Sequence, residues 1–90
     1  MTAYSISGTT AYASFTPGSR PGDRGQVSDI ITEAYAGDTV YICADMSGDI
    51  TSVPEVTFVD TGFMAPQDYQ RIYYFEMPES NITITDSDPR

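Results

Sequence analysis

Tyr73-Tyr74-Phe75-Glu76-Met77-Pro78-Glu79-Ser80-Asn81-Ile82-Thr83-Ile84-Thr85 is the stretch whose reading decides the fold. It follows Gln70-Arg71-Ile72, and Gln70 to Met77 reads as the longest strand of the chain. Side chains of a strand alternate between faces, so Tyr73, Phe75 and Met77 share one face, and Ile72, Tyr74 and Glu76 the other. Glu76 marks the second face as the solvent side, which sends Tyr73, Phe75 and Met77 to the core. Pro78 has no N–H to offer a ladder and ends the strand. A second strand, Asn81 to Thr85, then alternates again, with Ile82 and Ile84 inward and Thr83 and Thr85 outward.

Working upstream, Ala36-Gly37-Asp38-Thr39-Val40 reads as a tight turn entering a strand. Gly37 supplies backbone freedom that other residues lack, and the Asp38 carboxylate can bond nearby amides. In the strand that follows, Val40, Ile42, Ala44 and Met46 share a buried face, and Tyr41, Cys43 and Asp45 a wetter one. Ser47-Gly48-Asp49 turns the chain. Val56 to Val59, after Pro54, reads as another strand, and Thr61 to Pro66 as an apolar loop plugging an open end of the domain. Near the start, Tyr4 to Ser7 and Thr10 to Phe15 read as strands separated by Gly8-Thr9. Residues 16–25 hold two Pro, three Gly and two of the four Arg, the composition of a hairpin loop. Val27 to Tyr35 fits a strand, or a helix with Ser28 as N-cap and Gly37 as its stop; a strand is expected.

About seven strands with regularly spaced turn signals imply an all-β fold, a small antiparallel Ig-like β-sandwich. The alternative is a β-grasp-like fold or small barrel with one helix near 28–36. A single module over 1–86 is expected, with 87–90 as a linker or frayed end.

Ninety residues suit one core. Thirteen acidic residues against four Arg leave a net charge of −9, which repels nucleic acid and anionic membrane surfaces. With no His and no Lys, imidazole bases and Schiff-base chemistry are excluded. Cys43 stands alone, so no internal disulfide or Cys-pair zinc site is possible; it reads as a partly buried filler. No apolar run approaches the roughly 20 residues of a membrane span.

Taken together, the Ala36–Val40 turn and the residues Tyr73, Phe75, Met77, Pro78 and Asn81–Thr85 resemble the repeat modules of bacterial surface proteins. These are the divergent internalin-type and bacterial Ig-like repeats, which close on a segment of the form Phe-x-Met-Pro-x-x-Asn-Ile-Thr-Ile-Thr. The likeness extends over roughly 34–86. Glu76 stands where such modules often carry Thr, and the 16–25 loop reads as an addition. The resemblance implies a non-catalytic structural or spacer module of a larger secreted or cell-surface protein, with export signal and anchor outside this sequence. Its expected partners are the neighbouring domains of the same chain, and no cofactor is implied.

The alternative is an adhesion module that binds a glycan or a host protein. Tyr41, Tyr74 and Ile72, with Tyr35 nearby, would form an outer aromatic face, and Arg20 and Arg24 a locally basic loop tip. Calcium is a lesser candidate at Asp45–Asp49 or at Asp86 and Asp88, where oxygen ligands are too sparse for an EF-hand.

Overall fold

The structure, a computed structural model, describes residues 2–45, 50–66 and 70–86. Among these it is all β, with nine strands: β1 Ala3–Ser7, β2 Ala11–Thr16, β3 Gln26–Ile31, β4 Glu33–Tyr35, β5 Thr39–Asp45, β6 Ile50–Val53, β7 Val59–Met64, β8 Gln70–Glu76 and β9 Ile82–Asp86. They form a β-sandwich of a four-stranded sheet, β4-β1-β9-β6, and a five-stranded sheet, β3-β2-β5-β8-β7. Between these strands every pairing is antiparallel except β1 with β9, the first described strand with the last, where Ile6 faces Ile82; outside them, Arg24 forms an isolated parallel bridge to Met64.

The core lies between the sheets. Val40, Ile42 and Ala44 from β5, Phe75 from β8, Met77 just beyond it, and Ile82 and Ile84 from β9 are all at most 2% exposed. Ile6 and Ala34 complete it from the four-stranded sheet, and Ala11 from the facing one. The alternation expected of β5, β8 and β9 on this side is therefore observed, with Tyr73 half-buried rather than buried. Met46 lies outside the described residues.

The two halves of the sequence pattern meet in space. The Gly37 N–H donates to the Met77 carbonyl at 2.9 Å, and the Met77 N–H donates to the Asp38 carbonyl at 2.8 Å. The turn itself is closed by Asp38 N–H to Tyr35 O at 3.0 Å, and by Tyr35 N–H to the Asp38 carboxylate at 3.0 Å. Gly37 sits at φ +90°, a left-handed conformation that glycine adopts without strain. Beyond Pro78 the chain crosses to the other sheet, and the Asn81 side-chain oxygen accepts the Ser5 N–H of β1 at 2.9 Å. The Met-Pro block thus ties β8, the β4–β5 turn and the β1/β9 pair together.

Several expectations are corrected. Among the described residues there are nine strands where about seven are expected, because short β4 and β6 complete the second sheet. Residues 27–35 are extended, as expected, but break at Thr32, where the chain leaves one sheet for the other; the helix alternative fails there. The Thr32 carbonyl is kept satisfied by the Ile6 N–H at 2.8 Å. Residues 55–58 are not a strand, because they cross from β6 in one sheet to β7 in the other and can pair with neither. Their side chains still serve the core: Val56 and Phe58 pack against it, and the Phe58 ring meets Phe75 edge-on at 5.3 Å. The expected apolar loop at 61–66 is largely β7, a strand with an irregular register between Asp60 and Met64. Asp60 Oδ1 accepts the Gly62 N–H at 2.8 Å, and Gly62 takes φ +88°, which accommodates the bulge.

The 16–25 loop joins the antiparallel hairpin of β2 and β3, as expected, but its second half is pinned. Gly22 N–H donates to Gly62 O at 2.9 Å, Met64 N–H to Asp23 O at 2.9 Å and Gly25 N–H to Met64 O at 2.8 Å. These residues lead into β3, one edge of the five-stranded sheet, yet bond to β7, its opposite edge. Joining the edges at one end curls that sheet over its own outer face.

Gly8 and Gly22 both adopt φ +94°, so alanine at either strains the backbone equally. A Cβ at Gly8 would strike the Ile84 carbonyl, whereas one at Gly22 meets nothing within 4 Å. Gly22→Ala should cost about 1 kcal/mol, and Gly8→Ala at least about 2 kcal/mol more. Urea unfolding of both variants checks this; equal costs would contradict the close approach of Gly8 to β9.

Candidate aromatic groove

Antiparallel register sets Tyr41 of β5 directly opposite Tyr74 of β8. Alternation places both on the outer face of the five-stranded sheet, since their neighbours Val40, Ile42 and Phe75 point inward. The two rings lie 6.2 Å apart with planes inclined at 54°. Phe15, from the end of β2, stacks on Tyr41 at 5.3 Å and reaches Phe63 at 5.8 Å. The result is a row of aromatic rings, Phe63, Phe15, Tyr41 and Tyr74, laid across four strands. A shallow groove of about 350 Å³ runs along it, lined by Phe15, Thr39, Tyr41, Thr61 and Tyr74.

Its polar groups differ in availability. The Thr61 hydroxyl is engaged, donating to Ile72 O at 2.7 Å and accepting Phe63 N–H at 3.3 Å. Among the described residues, the Tyr41 and Tyr74 hydroxyls have no hydrogen-bond partner. Glu76 lies two residues beyond Tyr74 on the same face, opposite Thr39, and its exposed carboxylate forms no ion pair among the described residues.

The pair Tyr41 and Tyr74 comes together as the sequence pattern implied. The other expected members do not join it. Ile72 is 0% exposed and presents nothing to a partner. The strap at 22–25 covers it, and a Cβ on Gly25 would lie 3.2 Å from Ile72 Cδ1 and 2.9 Å from Phe15 Cε1. Glu76 correctly marks one end of this face as wet, but the curled sheet makes the other end an interior. Tyr35 belongs to β4 in the opposite sheet. The Arg24 guanidinium donates to the Ala65 carbonyl at 2.7 Å, so it helps fasten the strap. Arg20 is exposed and only loosely paired with Asp23 at 3.9 Å, a surface contact of little energetic weight. The two arginines therefore do not act as one basic tip.

Phe15, Thr39 and Thr61 were not singled out from the sequence. They come from separate strands, and their juxtaposition depends on strand order and register, which local alternation does not encode. A second groove, of about 390 Å³, involves Glu33 and Asp38 beside Ala3, Ala13 and Ala34. Asp38 is already bonded to the Tyr35 amide there. Among the described residues no cluster of three or more Cys, Asp or Glu is placed to hold a metal. The calcium candidates at 46–49 and at Asp88 lie outside the described residues, as do the side chains of Asp45 and Asp86.

Cys43 faces Ile72 across the β5/β8 ladder and is half-buried. Burial pushes its thiol pKa up, because the thiolate would lose hydration. At pH 8 Cys43 should react with a disulfide reagent at least about tenfold more slowly in the native protein than in urea, since the thiolate is the nucleophile. Rates within twofold of each other would contradict the burial. The raised folded pKa also has a stability consequence: its contribution is complete below the thiol's unfolded pKa and is lost as pH rises through the folded one.

No protein-family model, no curated protein sequence and no solved structure matches this chain, so its functional reading rests on the geometry above.

Proposed function

We propose that this chain is a non-catalytic spacer module of a larger bacterial cell-surface or secreted protein. The observation that carries this reading is the parallel pairing of the first strand with the last. With Ile6 level with Ile82, the chain enters near Ala3 at one end of the sheet and leaves near Asp86 at the other. Seven register steps separate those levels, on the order of 20 Å at strand rise. A module built this way extends a chain of modules instead of doubling it back.

The same arrangement suits mechanical load. Tension applied through both ends would shear β1 along β9, so their contacts must yield together and not one at a time. Those contacts include Ser5 N–H to Asn81 at 2.9 Å and the Ser7 and Thr83 hydroxyls at 3.2 Å. The Met-Pro closing segment supports the family resemblance, because its residues do structural work at the point where the module shuts. An excess of carboxylates keeps such a module soluble and resists self-association.

Head-to-tail copies of the chain, studied by small-angle X-ray scattering, test the spacer geometry. The maximum dimension should rise with each copy added by at least the separation of the module's ends, on the order of 20 Å. A dimension that hardly changes from one copy to two would contradict it. Antibody against the module should label intact cells or the culture medium of the bacterium that makes the full-length protein; labelling only after lysis would overturn the surface assignment.

A further inference from the structure

Nothing in the spacer reading explains why two tyrosine hydroxyls and a carboxylate, all without partners among the described residues, share a sheet face with a row of aromatic rings. The groove offers three things at once. Ring faces of Phe15, Tyr41 and Tyr74 carry the negative side of the aromatic quadrupole. Glu76 stands two residues beyond Tyr74 on the same face, opposite the groove residue Thr39, and has no ion-pair partner among the described residues. The protein around them carries a net charge of −9 and no Lys, so its field draws in cations and repels anions. Of the three described arginines, Arg24 bonds to the Ala65 carbonyl, Arg71 Nε lies 2.8 Å from Asp60, and Arg20 is exposed in the 16–25 loop at 3.9 Å from Asp23.

We infer that this groove is a docking site for a basic side chain, Arg or Lys, presented by a partner protein. The cation would lie over the rings of Tyr41 and Tyr74, where attraction to aromatic faces operates within about 6 Å of the ring. Its charge would be met by Glu76, with the free phenol hydroxyls accepting its N–H groups. An anionic sugar or nucleic acid is opposed by the same field. A neutral sugar would use the rings but leave Glu76 without a counter-charge. The inference stands independently of the spacer geometry, which concerns the other sheet.

The test is a heteronuclear NMR titration with the peptide Gly-Ser-Arg-Arg-Ser-Gly, run beside the same peptide carrying citrulline for both arginines. The arginine peptide should shift the resonances of residues 15, 39, 41, 61, 74 and 76 first. Tyr74→Leu, which keeps bulk but removes the ring, and Glu76→Gln should each weaken binding about three- to fivefold. Tyr35→Leu on the opposite sheet should leave it unchanged. Thermal melts would establish that each variant is folded, and if Tyr74→Leu is not, Glu76→Gln with the citrulline comparison carries the test. Equal binding of the citrulline peptide would overturn the proposal. So would shifts spread over all surface carboxylates with no effect of either variant, which would mean diffuse charge attraction only. Groove shifts produced by neutral oligosaccharides and not by the arginine peptide would also overturn it, assigning the site to sugars.

Discussion

Two backbone hydrogen bonds at Met77 hold the rest of this structure in place. They fix the end of β8 to the turn between β4 and β5, at the point where β8 has no further strand partner to give. Pro78 then prevents the ladder from continuing, and the chain must cross to the opposite sheet. Because Met77 is anchored, the crossing delivers Asn81 to the Ser5 amide and Ile82 to the level of Ile6. Four of the seven largest fully buried side chains, Phe75, Met77, Ile82 and Ile84, flank this one crossing. Backbone satisfaction and apolar burial therefore converge on the same few residues, and neither sheet is complete without them.

The topology explains why such an anchor is needed. Among the described strands, only β2–β3 and β7–β8 are antiparallel neighbours consecutive in sequence; the other connections step from one sheet to the other. Consecutive crossings offer little local structure to guide them, so their positions are set by single constraints. Gly8 permits close approach to Ile84, Thr32 bonds back to Ile6, and Asp38 holds its own turn. On the far side, the strap at 22–25 joins both edges of the five-stranded sheet. That closure occupies one end of both edges, where unpaired backbone groups could otherwise pair with other chains. It also divides the outer face into a buried end around Ile72 and an open end around Tyr41 and Tyr74.

Much of this was legible from residue order alone. The faces of β5, β8 and β9 follow from period-two alternation, because an intersheet core imposes that period directly on the sequence. Gly37 and Asp38 read correctly because a left-handed turn and a carboxylate cap are local requirements. Val56 and Phe58 show the limit: their apolar spacing resembled a strand, but it reflected burial by a crossing segment with no ladder partner. Short β6 and the bulged β7 were obscured for the same reason, since pairing is a property of two segments. Ile72 was misplaced because the covering strap comes from residues nearly fifty positions earlier. The Phe15 contribution to the aromatic row depends on strand order in the sheet, which no single stretch specifies.

The central claim is that the Met77 hydrogen bonds are part of the global core and not a surface turn. Native-state amide hydrogen exchange measures this at single residues. The Met77 and Gly37 amides should exchange only through global unfolding, with the same protection as core amides of β5 and β8 such as Ile42 and Phe75. Exchange of Met77 and Gly37 tenfold or more faster than those amides, through local opening, would show that the two sheets hold together without this anchor.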